Sequence, residues 1–331
     1  MARSKKILII GGAGFIGFHT AKRLSENNVN QITIIDNFNR GKFDNEFEDL
    51  ISKSNVSYFQ GDVTDLATFT NAGYDFNYIY NFAAVIGVAN VDKHPDKVLY
   101  VNSLSMLNLF EYSKKLNNLE KILFASTSEI YSGTLKHYGI DVPTGESVNL
   151  VVEDIKSRRT TYALSKMFGE SVAHNYGQKY DIPYTIVRYH NVYGPRMGFA
   201  HVIPETFIKI KNNDKIKVPS ATHTRAFCYV DDAVEMTIKI TEEKAATGET
   251  FHIGNSNEEI RIKDLVKKVA YIMSKSIEID DGDDTPGSPA RRAPKTEKIS
   301  RFTGYKPLVD LETGITRTFS WYADKLDDRW E

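Results

Sequence analysis

Ile7-Leu8-Ile9-Ile10-Gly11-Gly12-Ala13-Gly14-Phe15-Ile16-Gly17 decides the fold of this chain. Four consecutive apolar residues without polar alternation read as a strand buried on both faces of a parallel sheet. The glycines follow at once, and residues 19–27 continue with helical spacing that turns Ala21 and Leu24 inward. Strand, glycine turn and helix in that order form a dinucleotide fingerprint. The glycines allow a tight turn and close backbone approach, and the helix amino terminus can hold a pyrophosphate. Gly11, Gly14, Phe15, Ile16 and Gly17 are the candidate cofactor loop.

Working outward, residues 32–35 form a second strand ending at Asp36, nineteen residues after Gly17. A carboxylate there accepts the ribose hydroxyls of the adenosine half and repels a 2′-phosphate, which favours NAD over NADP. Arg40 lies close enough in sequence to soften that repulsion, and Asn37 opens the loop between them. A third strand, 56–59, leads to Asp62 and Val63 at the expected adenine edge, with Asp65 as a helix cap. The fourth, 78–82, ends in Ala83 and Ala84, small enough for a cofactor to lie against. Residues 98–114 read as a long helix with apolar recurrence at Val98, Val101, Leu104, Leu107 and Leu109. Asn102 on it is either a satisfied helix polar group or a brace for active-site backbone. The alternation of strand and helix up to Phe124 predicts an α/β fold, a Rossmann-type doubly wound parallel sheet with a smaller C-terminal substrate-binding lobe.

The strand at 122–124 runs into Ala125-Ser126-Thr127-Ser128-Glu129, hydroxyls and a carboxylate at a strand's carboxyl end, where open α/β sheets carry their chemistry. Farther on, Tyr162-Ala163-Leu164-Ser165-Lys166 places a phenol and an amine four apart on a helix. A phenol near its ordinary pKa of about 10 is a poor base at neutral pH. A neighbouring ammonium and the positive charge of an oxidised nicotinamide favour the phenolate. Tyr162 can then take a proton from a sugar hydroxyl whose oxygen Thr127 also binds.

Composition narrows the alternatives. A net charge of −1 over 331 residues gives no general attraction to nucleic acid or acidic membrane. The single Cys228 excludes an internal disulfide and a multi-cysteine metal site and suits a reducing compartment. His190 and His201 read as loop histidines rather than a metal pair, and the acidic turn 280–284 lacks a full calcium-loop pattern. The apolar run at 7–10 is broken by glycine well short of a membrane span, so the expected location is cytoplasmic.

The chain resembles an extended short-chain dehydrogenase/reductase of the nucleotide-sugar epimerase, dehydratase and decarboxylase family. The resemblance rests on the glycine loop 11–17, Asn81-Phe82-Ala83-Ala84, the Tyr162 and Lys166 spacing, Arg188-Tyr-His-Asn-Val-Tyr-Gly-Pro-Arg196 and Thr224-Arg-Ala-Phe-Cys-Tyr-Val-Asp-Asp232. It implies bound NAD, a nucleotide diphosphate sugar as substrate and oxidation of the hexose at C4. Thr127 and Tyr162 would act on the C4 oxygen, and Lys166 would hold the nicotinamide ribose and lower the tyrosine pKa. Ser128 and Glu129 choose the next step. The Thr-Ser-Glu pattern resembles nucleotide-glucuronate decarboxylases and guanosine-type mannose 4,6-dehydratases. In a dehydratase Glu129 would take the C5 proton before the C6 hydroxyl leaves; in a decarboxylase it would position substrate. A 4-epimerase, a simple 4-dehydrogenase and a catalytically silent NAD-binding scaffold are the competing readings.

The resemblance also assigns the second half. Asn191, Arg196, Arg225 and Arg292 are the expected substrate contacts, with Arg291 as the substitute for Arg292 and Lys295 standing where relatives carry an aspartate. The segment 134–159, longer and more polar than a minimal crossover, is expected to cover the substrate pocket, with Arg158 and Arg159 as added charges or a solvated helix start. Residues 1–188 are expected as the NAD-binding domain and 189–331 as mainly the nucleotide-sugar lobe, with interleaving of the two left open. Helices after Lys97 and around Tyr162 would form a homodimer contact.

Overall fold

A computed structural model describes residues 4–285 and 287–327. The first half runs β1 (Lys6–Ile10), α1 (Phe15–Ser25), β2 (Gln31–Asp36), α2 (Asn45–Ile51), β3 (Val56–Gln60), α3 (Leu66–Asn71), β4 (Tyr78–Asn81), α4 (Val88–Lys93), α5 (Pro95–Ser113) and β5 (Lys121–Thr127). It continues with α6 (Ser132–Tyr138), α7 (Thr160–Tyr180), β6 (Tyr184–Tyr189), β7 (Val192–Tyr193), α8 (Val202–Asn212), β8 (Lys215–Val218), β9 (Thr224–Ala226) and β10 (Cys228–Tyr229). The remainder is α9 (Val230–Glu242), β11 (Thr250–Ile253), β12 (Glu259–Arg261), α10 (Ile262–Ile272), β13 (Glu278–Asp281), β14 (Arg291–Arg292), α11 (Glu297–Thr303) and α12 (Leu311–Tyr322).

Seven strands form one sheet in the order β11-β6-β5-β4-β1-β2-β3. The parallel pairing of β1 with both β2 and β4 makes the carboxyl edge beside Ile10 the point where strand order reverses, the place where such sheets bind ligands. β5 is buried along its whole length, which explains why its sequence does not alternate. Helix α5 departs from the expected apolar stripe. Its buried face is Val98, Asn102, Ser105, Met106, Leu109 and Phe110, whereas Val101, Leu104 and Leu107 are only partly buried. Two polar side chains occupy core positions because they have partners there: Ser105 donates to the Asn102 carbonyl, and Asn102 has the contacts given below.

The chain divides into two units, each assembled from three segments. The first comprises residues 1–130, 152–188 and 234–251; the second comprises 131–151, 189–233 and 252–331. One division falls at residue 188, while 131–151 belongs to the second unit and 234–251 to the first. The core of the first unit includes Leu8, Ile35, Ile79, Phe110, Phe124 and Ile186.

In the second unit α8, α10 and α12 pack on one another, burying Ile203, Phe207, Leu265, Val269 and Ile315. The carboxylate of Asp232 accepts from the Tyr305 hydroxyl and the backbone N–H groups of Leu308 and Val309, at 2.7, 2.9 and 2.9 Å, and so ties down the approach to α12. The acidic stretch begins in β13, which lies parallel to β8, and continues as a largely exposed loop over 282–284. Lys215 against Glu278 and Asp280, Lys263 against Asp281, Lys217 against Asp283 and His223 against Asp284 add charge matching at the surface.

The polar segment after β5 is also more regular than expected. Residues 132–138 form α6, and Thr134 fastens the loop that follows by donating to the Asn149 carbonyl at 2.8 Å and accepting the Val151 N–H at 3.1 Å. The Val142–Pro143 peptide is cis. Thr144 exchanges backbone hydrogen bonds with Ala293 and Lys295 at 2.9 and 2.8 Å, and Arg291 donates to the Val142 carbonyl at 2.7 Å. Within the second unit this segment is a stitched strap. Arg158, in the first unit, donates to the Asp92 carbonyl at the end of α4, so it serves as a helix cap.

Candidate active site

The glycine turn is fixed by steric demand. Gly11 has φ of +80°, and a Cβ there would stand 2.8 Å from the Ala83 nitrogen; a Cβ on Gly17 would stand 2.2 Å from the Gly11 carbonyl oxygen. β1, β4 and the first turn of α1 therefore approach at backbone distance, leaving the amino end of α1 capped by Gly14 without a side-chain acceptor. Its N–H groups and the positive end of the helix dipole suit a pyrophosphate. Phe15 and Ile16 open this helix.

Asp36 closes β2 beside this turn. One carboxylate oxygen accepts the Ala13 N–H at 2.9 Å and the other the Phe38 N–H at 2.8 Å, which locks the turn to the loop after β2. Burial pushes the Asp36 carboxyl above its ordinary pKa, with these backbone bonds pulling the other way. Asn37 donates to Asp62 at 3.4 Å, and Thr64 donates to Asp62 through both its N–H and its hydroxyl. Partial burial raises the Asp62 carboxyl, but the Thr64 and Asn37 bonds and the charge of Lys97 outweigh it and hold the group below its usual range. Val63 is buried next to it, and Asp65 caps α3 as expected. Asn102 accepts the Val85 N–H at 2.8 Å and donates to the Val85 carbonyl at 3.1 Å and to the Ser165 hydroxyl at 3.0 Å. It acts as the brace rather than as an idle helix polar group.

β5 and α7 bring Thr127, Ser128, Glu129, Tyr162 and Lys166 together within the first unit. The Thr127 hydroxyl is near enough to the Tyr162 phenol to lower its pKa and accepts the Glu129 N–H at 3.2 Å. Ser128 is buried, whereas Glu129 is partly exposed. Lys166 is buried, its Nζ donating to the Ala125 carbonyl at 2.8 Å and lying 6.0 Å from the centre of the Tyr162 ring. Burial lowers its pKa to about 8, against the pull of Glu170. The phenol differs from expectation. Burial and the Glu129 charge push its pKa up, while the Thr127 bond and the charge of Arg40 pull it down. Arg40, expected to soften repulsion of a 2′-phosphate, also acts electrostatically on the Tyr162 phenol, a link that residue spacing does not encode.

The profile of the NAD dependent epimerase/dehydratase family matches residues 7–254. The chain belongs to that family. It is 31% identical to UDP-glucuronic acid decarboxylase 3 of Arabidopsis thaliana over 313 residues, covering 94% of this chain and 86% of that protein. It is 29% identical to a UDP-N-acetyl-alpha-D-glucosaminuronate decarboxylase of Bacillus cytotoxicus over 340 residues, covering 98% and 99%. Among solved structures, a UDP-glucuronic acid 4-epimerase variant from Bacillus cereus, in complex with UDP-4-deoxy-4-fluoro-glucuronic acid and NAD, superposes with a TM-score of 0.86 at 25% identity, over 96% of this chain and 99% of that one.

As a family member the chain is an enzyme with NAD as cofactor. The open first turn of α1, the close approach of Gly11 to Ala83 and the carboxylate ending β2 fit that dinucleotide. No helix among the described residues is long and apolar enough to cross a membrane, and none of their side chains form a group of three or more that could hold a metal ion.

The expected substrate residues lie in the second unit of this epimerase/dehydratase member. Arg196, Arg225 and Arg292 are all buried. Arg225 donates to the Thr224 carbonyl and the Ser288 hydroxyl, both at 2.6 Å, and with Thr206, Lys209, Val218 and His223 it lines a cavity of about 270 Å³. Arg292 donates to Asn191 at 3.4 Å, and Asn191 donates in turn to the Ala226 carbonyl at 3.0 Å. Arg291 is half-exposed and engages both oxygens of Glu259 at 2.7 and 2.8 Å, so its charge is already matched. Lys295 is exposed. His190 is buried 4.7 Å from the ring of His252, whose Nε2 lies 2.7 Å from the Tyr131 hydroxyl. These aromatic residues form part of the second unit's interior.

Proposed function

We propose that this enzyme oxidises a nucleotide diphosphate hexuronic acid at C4 and then releases its C6 carboxylate as carbon dioxide. The observation that carries this reading is the Thr127-Ser128-Glu129 turn, whose Thr127 and Glu129 both act on the Tyr162 phenol, with Lys166 anchored on the same strand. The likeness to two nucleotide-uronic acid decarboxylases over nearly the whole chain supports the same choice.

NAD, when bound, supplies a two-electron acceptor for the hydrogen on C4 and a store from which it can be returned. Gly11, Gly14, Phe15, Ile16 and Gly17 would hold its pyrophosphate, Asp36 and Asn37 its adenosine ribose, Asp62 and Val63 the adenine edge, and Ala83 and Lys166 its nicotinamide end. Tyr162 takes the proton from the C4 hydroxyl while Thr127 binds the oxygen, a division of labour typical of general-base catalysis. The resulting C4 ketone stands β to the carboxylate. The C5–C6 bond then breaks, its electron pair enters the C4–C5 enolate, carbon dioxide leaves and C5 takes a proton from water. Ser128 and Glu129 orient the carboxylate end without needing to act as a strong base.

Arg225, Arg292 and Arg196, with Asn191, are the groups we assign to the substrate's diphosphate and sugar. Buried guanidinium groups offer paired donors suited to oxyanions. Incubation with nucleotide uronic acids in deuterated water tests the reading. Loss of one carbon dioxide with deuterium at C5 supports it; a product of unchanged mass inverted only at C4 replaces it with the second reading, a 4-epimerase, which the likeness to the solved 4-epimerase favours. Failure of every nucleotide sugar to change the nicotinamide absorbance leaves the NAD-binding scaffold.

The same reading includes a cytoplasmic homodimer. Leu99 and Tyr100 on α5 and Phe168 on α7 are exposed apolar side chains on two helices that pack together. Light scattering on Tyr100→Glu is expected to show monomer where the unaltered protein shows dimer.

A further inference from the structure

Ser126, Glu170 and Arg188 form a buried polar network directly behind the catalytic strand. The Oε1 of Glu170 accepts from the Ser126 hydroxyl at 2.5 Å and from Arg188 Nε at 2.9 Å, and Oε2 accepts from Arg188 Nη2 at 2.6 Å. All three residues are about 95% buried. A two-point arginine–carboxylate pair of this kind fixes both partners in orientation as well as position. The pair joins three elements: Arg188 on β6, Glu170 on α7 and Ser126 on β5. Ser126 stands between Ala125, whose carbonyl receives Lys166, and Thr127, whose hydroxyl acts on the Tyr162 phenol. Glu170 is one turn beyond Lys166 on α7.

We propose that Glu170 is a positioning residue of the catalytic centre, whose carboxylate, immobilised by Arg188 and Ser126, keeps the Lys166 ammonium on the Ala125 carbonyl and sets β5 against α7. The inference rests on the assignment of Tyr162 and Lys166 proposed above. A buried ammonium loses its hydration and has only fixed groups to replace it. Those facing Lys166 are the Ala125 carbonyl and the Phe124 ring, at 5.0 Å, from β5, and Tyr162 and Glu170 from its own helix. Arg188 from β6 faces Glu170, and Glu129 and Arg40 act on Tyr162. Glu170 is the carboxylate that opposes the effect of burial on Lys166. Arg188 would repel Lys166 were its charge not taken up by Glu170.

The test is Glu170→Gln, together with Glu170→Gln/Arg188→Met, which removes both buried charges and so avoids leaving an unmatched arginine in the interior. The titration of Lys166 is followed by NMR of protein carrying isotope-labelled lysine, the resonance being assigned by its loss in Lys166→Met. The pH profile of turnover is measured alongside. The Lys166 midpoint is expected to fall by about one pH unit in the double variant, and further in Glu170→Gln, where Arg188 is left unmatched; the alkaline limb of the profile falls with it, giving about a tenfold loss of rate or more at fixed alkaline pH. An unmoved midpoint, or a profile that only drops in height, assigns the network a purely structural role and overturns the proposal. The titration needs no turnover. A protein that reacts with no nucleotide sugar would therefore refute the proposed function while the Lys166 midpoint still decides the role of Glu170.

Discussion

Lys166 Nζ donates to the carbonyl oxygen of Ala125 at 2.8 Å, which binds α7 to β5 through a buried cation. The arrangement favours function over stability. With the folded pKa lowered from 10.5 to about 8, the unfolded chain binds more protons between those two values, so folding stability rises with pH across that window. Below it, the full desolvation penalty applies. Lys166→Met is therefore expected to stabilise the fold at neutral pH, on the order of 1–2 kcal/mol after the lost carbonyl bond is deducted, with the gain shrinking as pH rises through the window. Thermal melts of both proteins across that range check the sign; a destabilised variant at neutral pH would refute it.

Glu129 raises the pKa of the Tyr162 phenol, second to burial itself. Replacing it by glutamine removes that charge while keeping the shape of the turn. The phenolate should form at lower pH, by up to about one unit, in ultraviolet titration of the tyrosinate against a Tyr162→Phe blank. Turnover in Tyr162→Phe itself is expected to fall about 10²- to 10⁴-fold with NAD binding retained.

Arg291 and Arg292 are adjacent, yet their environments predict opposite phenotypes. Arg292 is buried with Asn191 beside it, and Arg292→Met should weaken binding of a nucleoside diphosphate about 10- to 100-fold by calorimetry, in line with the loss of a charged hydrogen-bond donor to an oxyanion. Arg291 pairs with Glu259 at the surface, so Arg291→Met should leave that affinity within about twofold.

Gly17→Ala would put a methyl group 2.2 Å from the Gly11 carbonyl oxygen. Backbone must move to admit it. Loss of NAD binding together with a lower melting temperature is the expected result, and dye-monitored melts with and without NAD report both. An alanine variant that binds NAD as tightly as before would show that this turn does not hold the cofactor.

The sheet was readable because a strand covered on both faces needs no polar alternation: 7–10, 32–35 and 122–124 are mainly apolar runs, ended by Gly11, by Asp36 and by the hydroxyls from Ser126 on. The same logic fails for β13, whose acidic Glu278, Asp280 and Asp281 form a strand by pairing with β8, distant in sequence. It fails on α5, where Asn102 and Ser105 occupy buried positions that an apolar count skips.

Thr127, Tyr162 and Lys166 were visible as a motif, and Asp36 from its distance to the glycines. Glu170 was not, because its partners Ser126 and Arg188 lie 44 and 18 residues away and none of the three is unusual for its local segment. The effect of Arg40 on Tyr162 was not legible, since nothing in the chain's order relates the loop after β2 to the phenol of α7.

The interleaving of the two units bears on how this enzyme could exchange specificity with a relative. A single crossover at residue 188 would import a foreign 234–251, part of the first unit, while leaving the native 131–151 strap behind to meet foreign partners at 291–295. Recombination that moves the second unit intact needs several breakpoints. New substrates are therefore reached more readily by point substitution within one gene than by shuffling between genes.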